Sequence, residues 1–259
     1  MLLDVKNLSI EFHDHNAPEK VLNNVNFSMD EGEILGIVGE SGSGKSMTAF
    51  SIAGLLPRKK MTKSGQIIFS HEDIFTLERK ELRRFQGSSI SVIFQEPMTA
   101  LNPTMKIGKQ VGESLKLHTN LSKEMIKEKA IEALNYVDLN GNEIFNKYPH
   151  ELSGGMRQRV MIAAAVISNP KLLIADEPTT ALDVTVQNDI LNLLKKINSE
   201  NNTAILFISH DLSLVKQFCK KVIVMKDGEI VEKGNADEIF NNPQHDYTKK
   251  LINSIPVIR

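Results

Sequence analysis

Short apolar runs recur along the chain, and their lengths predict a mixed α/β fold. Runs of four to six apolar residues are typical of strands that are buried on both faces of a sheet. Looser alternation of apolar and polar residues, as near the N-terminus, is typical of strands with one exposed face. Seven strands are predicted, at residues 2–12, 21–29, 33–38, 65–69, 91–94, 171–175 and 203–208.

Helical spacing of apolar residues predicts three helices between these strands. They cover residues 47–56, where Pro57 is expected to end the helix, 121–137 and 186–200. A hairpin is predicted near the C-terminus, because Lys226-Asp227-Gly228 separates apolar runs at 222–225 and 229–231. Strands alternating with helices indicate a sheet with parallel crossovers.

Composition is that of a globular domain, with 41% hydrophobic and 24% charged residues among 259. The net charge of -1 indicates no overall basic footprint for nucleic acids, although a local patch could hide in the average, and we expect no nucleic-acid partner. A single cysteine, Cys219, excludes an internal disulfide and is expected to be a small apolar residue on a helix. Neither a signal peptide nor an apolar run of about 20 residues is visible. Any membrane role is therefore expected to come through a partner.

A glycine-rich segment follows the third predicted strand and precedes a predicted helix. Its sequence satisfies G-x-x-x-x-G-K-[ST], a pattern whose backbone N–H groups turn inward around phosphate oxygens. The lysine is expected to reach the terminal phosphates, and the last serine is expected to ligate Mg²⁺. The segment comprises Gly39, Glu40, Ser41, Gly42, Ser43, Gly44, Lys45 and Ser46.

Polar residues that suit phosphate hydrolysis close three other strands. Asp176 and Glu177 end an apolar strand, where one carboxylate can hold Mg²⁺ and the other can polarise the attacking water. His210 and Gln95 each follow a strand as well, and ligands bind at the carboxyl ends of strands in open α/β sheets. Together these residues predict ATP hydrolysis rather than nucleotide binding alone.

The segment Leu152-Ser153-Gly154-Gly155-Met156-Arg157-Gln158-Arg159 resembles the signature sequence of ABC-transporter ATPases. The other motifs match that family in order and spacing, with 39–46 as the Walker A loop and 172–176 as the Walker B strand. The resemblance makes Gln95 the Q-loop residue and Glu177 the catalytic glutamate, and it makes His210 the switch histidine. Ala181-Leu182-Asp183 becomes the D-loop, and Thr48 joins the nucleotide-binding residues. Phe12 lies where the family stacks a ring on adenine, although it could equally be a core strand residue.

The resemblance covers nearly the whole chain and implies a fold. This is an α/β P-loop NTPase (RecA-like) core with an N-terminal antiparallel β subdomain and a helical signature subdomain. Residues 1–259 would form one nucleotide-binding domain, in which a helical subdomain at about 97–165 is inserted into a core of 1–96 and 166–259.

The family also implies ATP and Mg²⁺ at the site, with Ser46, Gln95 and Asp176 around the metal. Ser153, Gly154 and Gly155 would act on the ATP that a partner cassette holds. The implied partners are a second, related ATPase subunit, two transmembrane permease subunits and an extracytoplasmic solute-binding protein. The chain would lie at the cytoplasmic face of the cell membrane.

Residues 94–103, 152–160 and 174–187 look like those of ATPases from peptide and nickel importers, and His245-Asp246-Tyr247-Thr248 is similar to their tail. Many peptide-type members continue with a cysteine-containing extension, whereas this chain stops at Arg259, so we expect no metal cluster there. The shorter length is more typical of nickel or metallophore members, and the choice between peptide and nickel stays open.

Two other classes of function compete with an importer. A soluble ABC ATPase that acts on DNA or ribosomes usually carries a long coiled-coil insertion or two tandem cassettes, and an exporter usually lacks the stretch at 97–103. All the residues needed for hydrolysis are present, which disfavours a binding-only protein. His13 and His15 are expected to lie in a solvated loop without a metal, because two exposed ligands make a poor site.

Overall fold

The structure is a computed structural model that describes residues 1–13, 18–56, 60–180 and 182–254. The chain divides into two compact units. The first combines Met1–Leu82 with Ala204–Arg259, and the second is Arg83–Thr203. The predicted helical subdomain at 97–165 falls within the second unit, and its boundaries stay a prediction.

The strands follow one another from the N-terminus to the hairpin near the C-terminus. They are β1 Leu3–Phe12, β2 Glu19–Met29, β3 Ile34–Val38, β4 Met61–Phe69, β5 Glu72–Asp73, β6 Ile90–Ile93, β7 Leu172–Asp176, β8 Ala204–Ile208, β9 Lys221–Lys226 and β10 Glu229–Asn235.

The helices are concentrated between β6 and β8. They are α1 Lys45–Ile52, α2 Arg79–Leu82, α3 Pro97–Ala100, α4 Ile107–Val111, α5 Glu113–His118, α6 Lys123–Tyr136, α7 Gly141–Ile144, a 3₁₀ turn at Pro149–Glu151, α8 Gly154–Val166, α9 Val184–Asn201, α10 Leu212–Phe218, α11 Ala236–Asn241 and α12 Asp246–Asn253. Among the residues described, each helix is too short or too polar to cross a lipid bilayer.

The first unit contains antiparallel and parallel strand pairs. In one sheet β1 lies antiparallel to β2 and to β4, and β5 pairs with β4. In the other, β3 lies parallel to both β8 and β9, and β10 forms a hairpin with β9. Strand β3 has parallel neighbours on both sides, and its residues 35–38 are all buried. A continuous apolar run is typical of such a central parallel strand. The glycine-rich segment that begins at Gly39 therefore follows a strand that is fixed on both sides.

The second unit contains a parallel pair of strands, β6 and β7, and most of the helices. Helix α8 contacts β6, α6 and α9, and it presents a buried face formed mainly by aliphatic residues. Arg159 of α8 reaches both the end of α6, at Asp138, and α9, at Asp189. Helix α8 is thus held on several sides, so its first residues have a defined place in this unit.

All seven predicted strands are present, with bounds shifted by one to four residues. The helices predicted at 121–137 and 186–200 are also confirmed, as α6 and α9. The predicted hairpin has Asp227 and Gly228 in the left-handed region, at φ 49° and 80°, the conformation that a two-residue turn of this kind needs.

Two local predictions were wrong. Helix α1 ends at Ile52 rather than near residue 56, because Gly54 takes the left-handed conformation at φ 66°; Pro57 lies outside the described residues. Cys219 is buried but follows α10 instead of lying in a helix, because its backbone is already extended toward β9. Of the two histidines, His13 is exposed at the end of β1, and His15 lies outside the described residues.

Candidate functional site

The glycine-rich loop between β3 and α1 has a shape that only glycine permits at two positions. Gly39 has φ 152°, and a Cβ there would lie 2.3 Å from the Met225 carbonyl oxygen. Gly44 has φ 100°, and a Cβ there would lie 2.7 Å from Leu22 Cδ2. Side chains at these positions would clash and strain the backbone, so the glycines of the motif are needed for the loop itself.

Lys45 lies back over this loop. Its Nζ donates to the carbonyl oxygens of Gly39, at 2.9 Å, and Glu40, at 2.8 Å, and only 6% of the residue is exposed. The shape of the loop and the Lys45 ammonium held against its backbone therefore suit a phosphate group.

The other predicted residues of the first unit differ in accessibility. Ser46 is partly exposed at the start of α1, and His210 is exposed just after β8. Thr48 is fully buried, and its hydroxyl donates to the Gly44 carbonyl, so a contact between Thr48 and a nucleotide stays a prediction. Phe12 is half-buried at the last position of β1, which leaves both of its predicted roles open.

In the second unit, the predicted catalytic glutamate is held by two polar neighbours. Gln95 Nε2 donates to Glu177 Oε2 at 2.8 Å, and Thr180 Oγ1 donates to the same oxygen at 3.0 Å. Glu177 also has φ 48°, a left-handed conformation that costs free energy in a non-glycine residue and is found often at functional sites. Its neighbour Asp176 ends β7 and is 3% exposed. Gln95 and Glu177, 82 residues apart in sequence, are thus brought into direct contact.

The segment 153–155 forms the start of α8 and is open. Ser153 caps the helix, since its hydroxyl accepts from the Met156 N–H at 3.3 Å. A Cβ on Gly154 would meet nothing within 4 Å, and a Cβ on Gly155 would lie 3.2 Å from Val186 Cγ1 of α9. Asp183 caps α9 in the same way and is exposed, whereas Ala181 lies outside the described residues. A 13-residue helix that begins at exposed residues is suited to an anion at its N-terminus.

Sequence reasoning missed a buried polar contact behind this helix. Gln158 is 1% exposed, and its side-chain amide donates to the Pro178 carbonyl at 2.6 Å. The bond ties α8 to the segment that follows Asp176 and Glu177. Helical spacing could have indicated it, because Gln158 shares a face of α8 with the buried Ile162 and Ala165.

Two braces on the glycine-rich loop were also missed. The Gly228 N–H donates to the Ser43 carbonyl at 3.1 Å, and the Glu40 N–H donates to the Tyr247 hydroxyl oxygen at 3.0 Å. These partners lie in the β9–β10 turn and in α12, far along the chain from the motif. No local sequence pattern indicates contacts between residues so far apart. The sequence singled out the tail that contains Tyr247, but not its contact with the loop.

Comparison with protein families gives two matches. A model described as ABC transporter matches residues 22–180. A model described as oligopeptide/dipeptide transporter, C-terminal region, matches residues 231–259.

Similar proteins include ATP-binding subunits of peptide transport. The oligopeptide transport ATP-binding protein OppD of Bacillus subtilis (strain 168) is 50% identical over 259 residues, which are 99% of this chain and 72% of that protein. OppD of Escherichia coli (strain K12) is 48% identical, over 98% of this chain and 76% of that protein. The dipeptide transport ATP-binding protein DppD of Lactococcus lactis subsp. cremoris (strain MG1363) is 45% identical, over 99% of this chain and 74% of that protein.

Solved structures confirm the predicted class of fold. The ATP-binding cassette MJ0796, in a dimeric structure of a post-hydrolysis state bound to ADP and Pi, superposes with a TM-score of 0.82 at 30% identity. The match covers 91% of this chain and 99% of that one. The chain therefore has the P-loop NTPase fold of these cassettes, as its sequence predicted.

Proposed function

The chain belongs to the ABC transporter family, and from that premise we propose that it is the ATP-hydrolysing subunit of a peptide importer. The observation that carries this proposal is the loop at 39–46, where the backbone at Gly39 and Gly44 leaves no room for a Cβ and where Lys45 Nζ donates to the carbonyls of Gly39 and Glu40. Its glycines and lysine suit phosphate, and the carboxylates that hydrolysis needs are present in the same chain.

Binding of ATP would use the backbone of the loop and Lys45. In this role the amides of residues 41–46 and the start of α1 face the β- and γ-phosphates, and the Lys45 ammonium exchanges carbonyl partners for phosphate oxygens. Phe12 is proposed to stack on adenine, and Thr48 is proposed to hold Gly44 in place.

Mg²⁺, when bound, would neutralise charge on the β- and γ-phosphates. The residues proposed to hold it are Ser46, Gln95 and Asp176, whose hydroxyl, amide and carboxylate oxygens are of the hard type that Mg²⁺ prefers. Gln95 Nε2 donates to Glu177, so the atom of Gln95 that would bind the metal is Oε1.

Hydrolysis would depend on Glu177 as the base that polarises the attacking water. The two donors on its Oε2, Gln95 and Thr180, fix the direction of the carboxylate. His210 is proposed to orient the γ-phosphate and the water. The Gln95 contact would couple the metal ligand to the base, so that both take their places together.

A second cassette would complete the site. The open start of α8, with Ser153, Gly154 and Gly155, supports a role toward the γ-phosphate of ATP bound by the partner, and exposed Asp183 supports a role in the same interface. Two ATP molecules would then lie between two related ATPase subunits. The dimeric structure of the cassette MJ0796 bound to ADP and Pi supports this proposal.

The assembled importer would include two transmembrane permease subunits and an extracytoplasmic solute-binding protein, with this chain on the cytoplasmic face of the cell membrane and no nucleic acid involved. Peptides are favoured over nickel as the cargo. The support is the matched C-terminal region at 231–259, together with the peptide-transport names of the three relatives.

The test is transport by the reconstituted complex in proteoliposomes, with its permeases and binding protein. We expect oligopeptides to stimulate ATP hydrolysis and to accumulate, and Ni²⁺ chelates to do neither. Complexes without the binding protein serve as the control for basal hydrolysis. Stimulation by Ni²⁺ chelates alone would overturn the peptide assignment, and no hydrolysis under any condition would overturn the ATPase role.

A further inference from the structure

Helix α12 contacts the glycine-rich loop through one phenol. Tyr247 is 8% exposed, and its hydroxyl oxygen accepts a hydrogen bond from the Glu40 N–H at 3.0 Å. The two residues are 207 positions apart, so the bond joins the C-terminal part of the chain to the second residue of the loop. Both belong to the same compact unit.

Tyr247 is held in place by a short series of hydrogen bonds. The Glu232 carboxylate of β10 accepts from the N–H groups of Gln244, at 2.7 Å, and His245, at 3.1 Å. His245 Nδ1 in turn accepts from the Tyr247 N–H at 3.1 Å and caps α12. The start of the helix is therefore fixed to the β9–β10 hairpin, and the phenol has a defined direction.

The phenol is chemically suited to this contact. Burial raises the pKa of Tyr247, so the hydroxyl stays neutral near pH 7 and its oxygen accepts from an amide without adding a negative charge beside the loop. The Lys226 ammonium lies 5.4 Å from the centre of the Tyr247 ring, which further fixes the ring.

Glu40 is thus held at both its amide and its carbonyl. The carbonyl accepts from Lys45 Nζ, and the amide donates to Tyr247. If Lys45 turns to phosphate, its bonds to the carbonyls of Gly39 and Glu40 are given up. The bond to Tyr247 does not involve Lys45 and can persist in that state.

We propose that Tyr247 is a positioning residue for ATP, which keeps the first turn of the loop in its binding conformation when Lys45 moves to the phosphates. The proposal rests on the proposed ATPase function. Tyr247 belongs to the matched C-terminal region at 231–259, so under this proposal that region contributes to nucleotide binding. The hydroxyl does not touch the reacting atoms, so its effect is on binding rather than on the chemical step.

The test compares Tyr247→Phe with Tyr136→Phe in the full chain. Tyr136 is the matched control, because its hydroxyl is also hydrogen-bonded, donating to Glu200 Oε2 at 2.8 Å, in the other unit. For Tyr247→Phe we expect Kd and KM for ATP to rise about three- to tenfold, the change that one hydrogen bond commonly produces, with kcat nearly unchanged. Tyr136→Phe should leave Kd and KM at the wild-type values.

Hydrogen exchange of the Glu40 amide provides a second measurement that needs no nucleotide. Exchange should be faster in Tyr247→Phe than in wild type and unchanged in Tyr136→Phe. Wild-type Kd and wild-type exchange in Tyr247→Phe would overturn the proposal, as would equal losses of ATP affinity in both variants. A wild-type chain that binds no ATP would instead overturn the proposed function, whatever the exchange shows.

Discussion

The loop before α1 and the segment before α8 are both starts of helices that suit anions, yet they are built in opposite ways. In the first, residues 43–45 are buried, Lys45 lies over the loop, and hydrogen bonds from Gly228 and to Tyr247 brace it. The second is open, with Ser153 as its cap and free space beside Gly154. The first helix start is thus partly buried and fixed by distant parts of the chain, whereas the second is exposed.

This difference indicates how ATP binding and hydrolysis are divided. A braced loop with its own lysine can bind phosphate within one chain. An exposed helix start with no lysine in its motif is suited to a ligand that another molecule brings. We therefore expect changes in the first region to alter the affinity of the isolated chain, and changes in the second to alter turnover alone.

The largest effect is expected for Glu177→Gln, which removes the proposed base. Turnover of the assembled transporter should fall by about 10²- to 10⁴-fold, whereas ATP binding should persist, because the new amide oxygen can still accept from Gln95 and Thr180. Phosphate release under saturating ATP measures the first quantity, and calorimetry measures the second. Glu143→Gln, an exposed carboxylate of the same unit, is the control. Near wild-type hydrolysis by Glu177→Gln would show that the base assignment is wrong.

A somewhat smaller loss of turnover is expected for Gly154→Asp. The space beside Gly154 admits the side chain, and a carboxylate at a helix start is compatible with folding, but its charge opposes a phosphate there. Turnover of the transporter should fall by about 10²- to 10³-fold, the range for loss of one preorganised anion contact. Gly154→Ala, which adds no charge, should keep most of the activity. Equal activity of the two variants would contradict an anion site at this helix.

Lys45→Ala should weaken ATP binding by the isolated chain roughly 10- to 100-fold, since a hydrogen bond to a charged group is lost. Isothermal titration measures the change. Lys221→Ala is the matched control, because Lys221 pairs with Glu33 at the surface of the same unit. If Kd is unchanged in Lys45→Ala, the loop does not bind phosphate through this residue.

The smallest expected effect is a difference in the free energy of unfolding between alanine variants of two glycines. Gly39→Ala should lower the free energy of unfolding by about 2 kcal/mol, because φ 152° and the Met225 carbonyl at 2.3 Å both oppose a Cβ. Gly154→Ala should change it by less than about 0.5 kcal/mol, as no atom lies within 4 Å. Urea denaturation of both variants measures the difference. Equal losses would mean that the two regions do not differ in packing as the structure describes.

Much of the fold was predictable because its signals are local. The apolar run of β3 and the glycine spacing after it predicted the loop, and the Asp227-Gly228 pair predicted the hairpin. The two-residue strand β5 was missed, since Glu72 and Asp73 carry no apolar pattern and pair only because β4 is already in place. The end of α1 was misplaced because Pro57 is a stronger signal in sequence than Gly54.

The candidate site was predictable as a set of residues, and its contacts were not. Motif spacing identified Gln95 and Glu177 separately, whereas their direct hydrogen bond depends on how β6 and β7 pair. Gln158 was read only as part of a motif, although its amide is buried against Pro178. Tyr247 was visible in sequence as part of a family tail, and its contact with Glu40 required the tertiary structure.

The most direct test of this division is the ATP affinity of the isolated chain, measured by calorimetry for wild type, Lys45→Ala and Gly154→Asp in parallel. The account predicts that Gly154→Asp binds ATP with the wild-type Kd and that Lys45→Ala binds at least about tenfold more weakly. If Gly154→Asp loses as much affinity as Lys45→Ala, the open helix start serves the ATP of its own chain, and the proposed completion of the site by a partner is wrong.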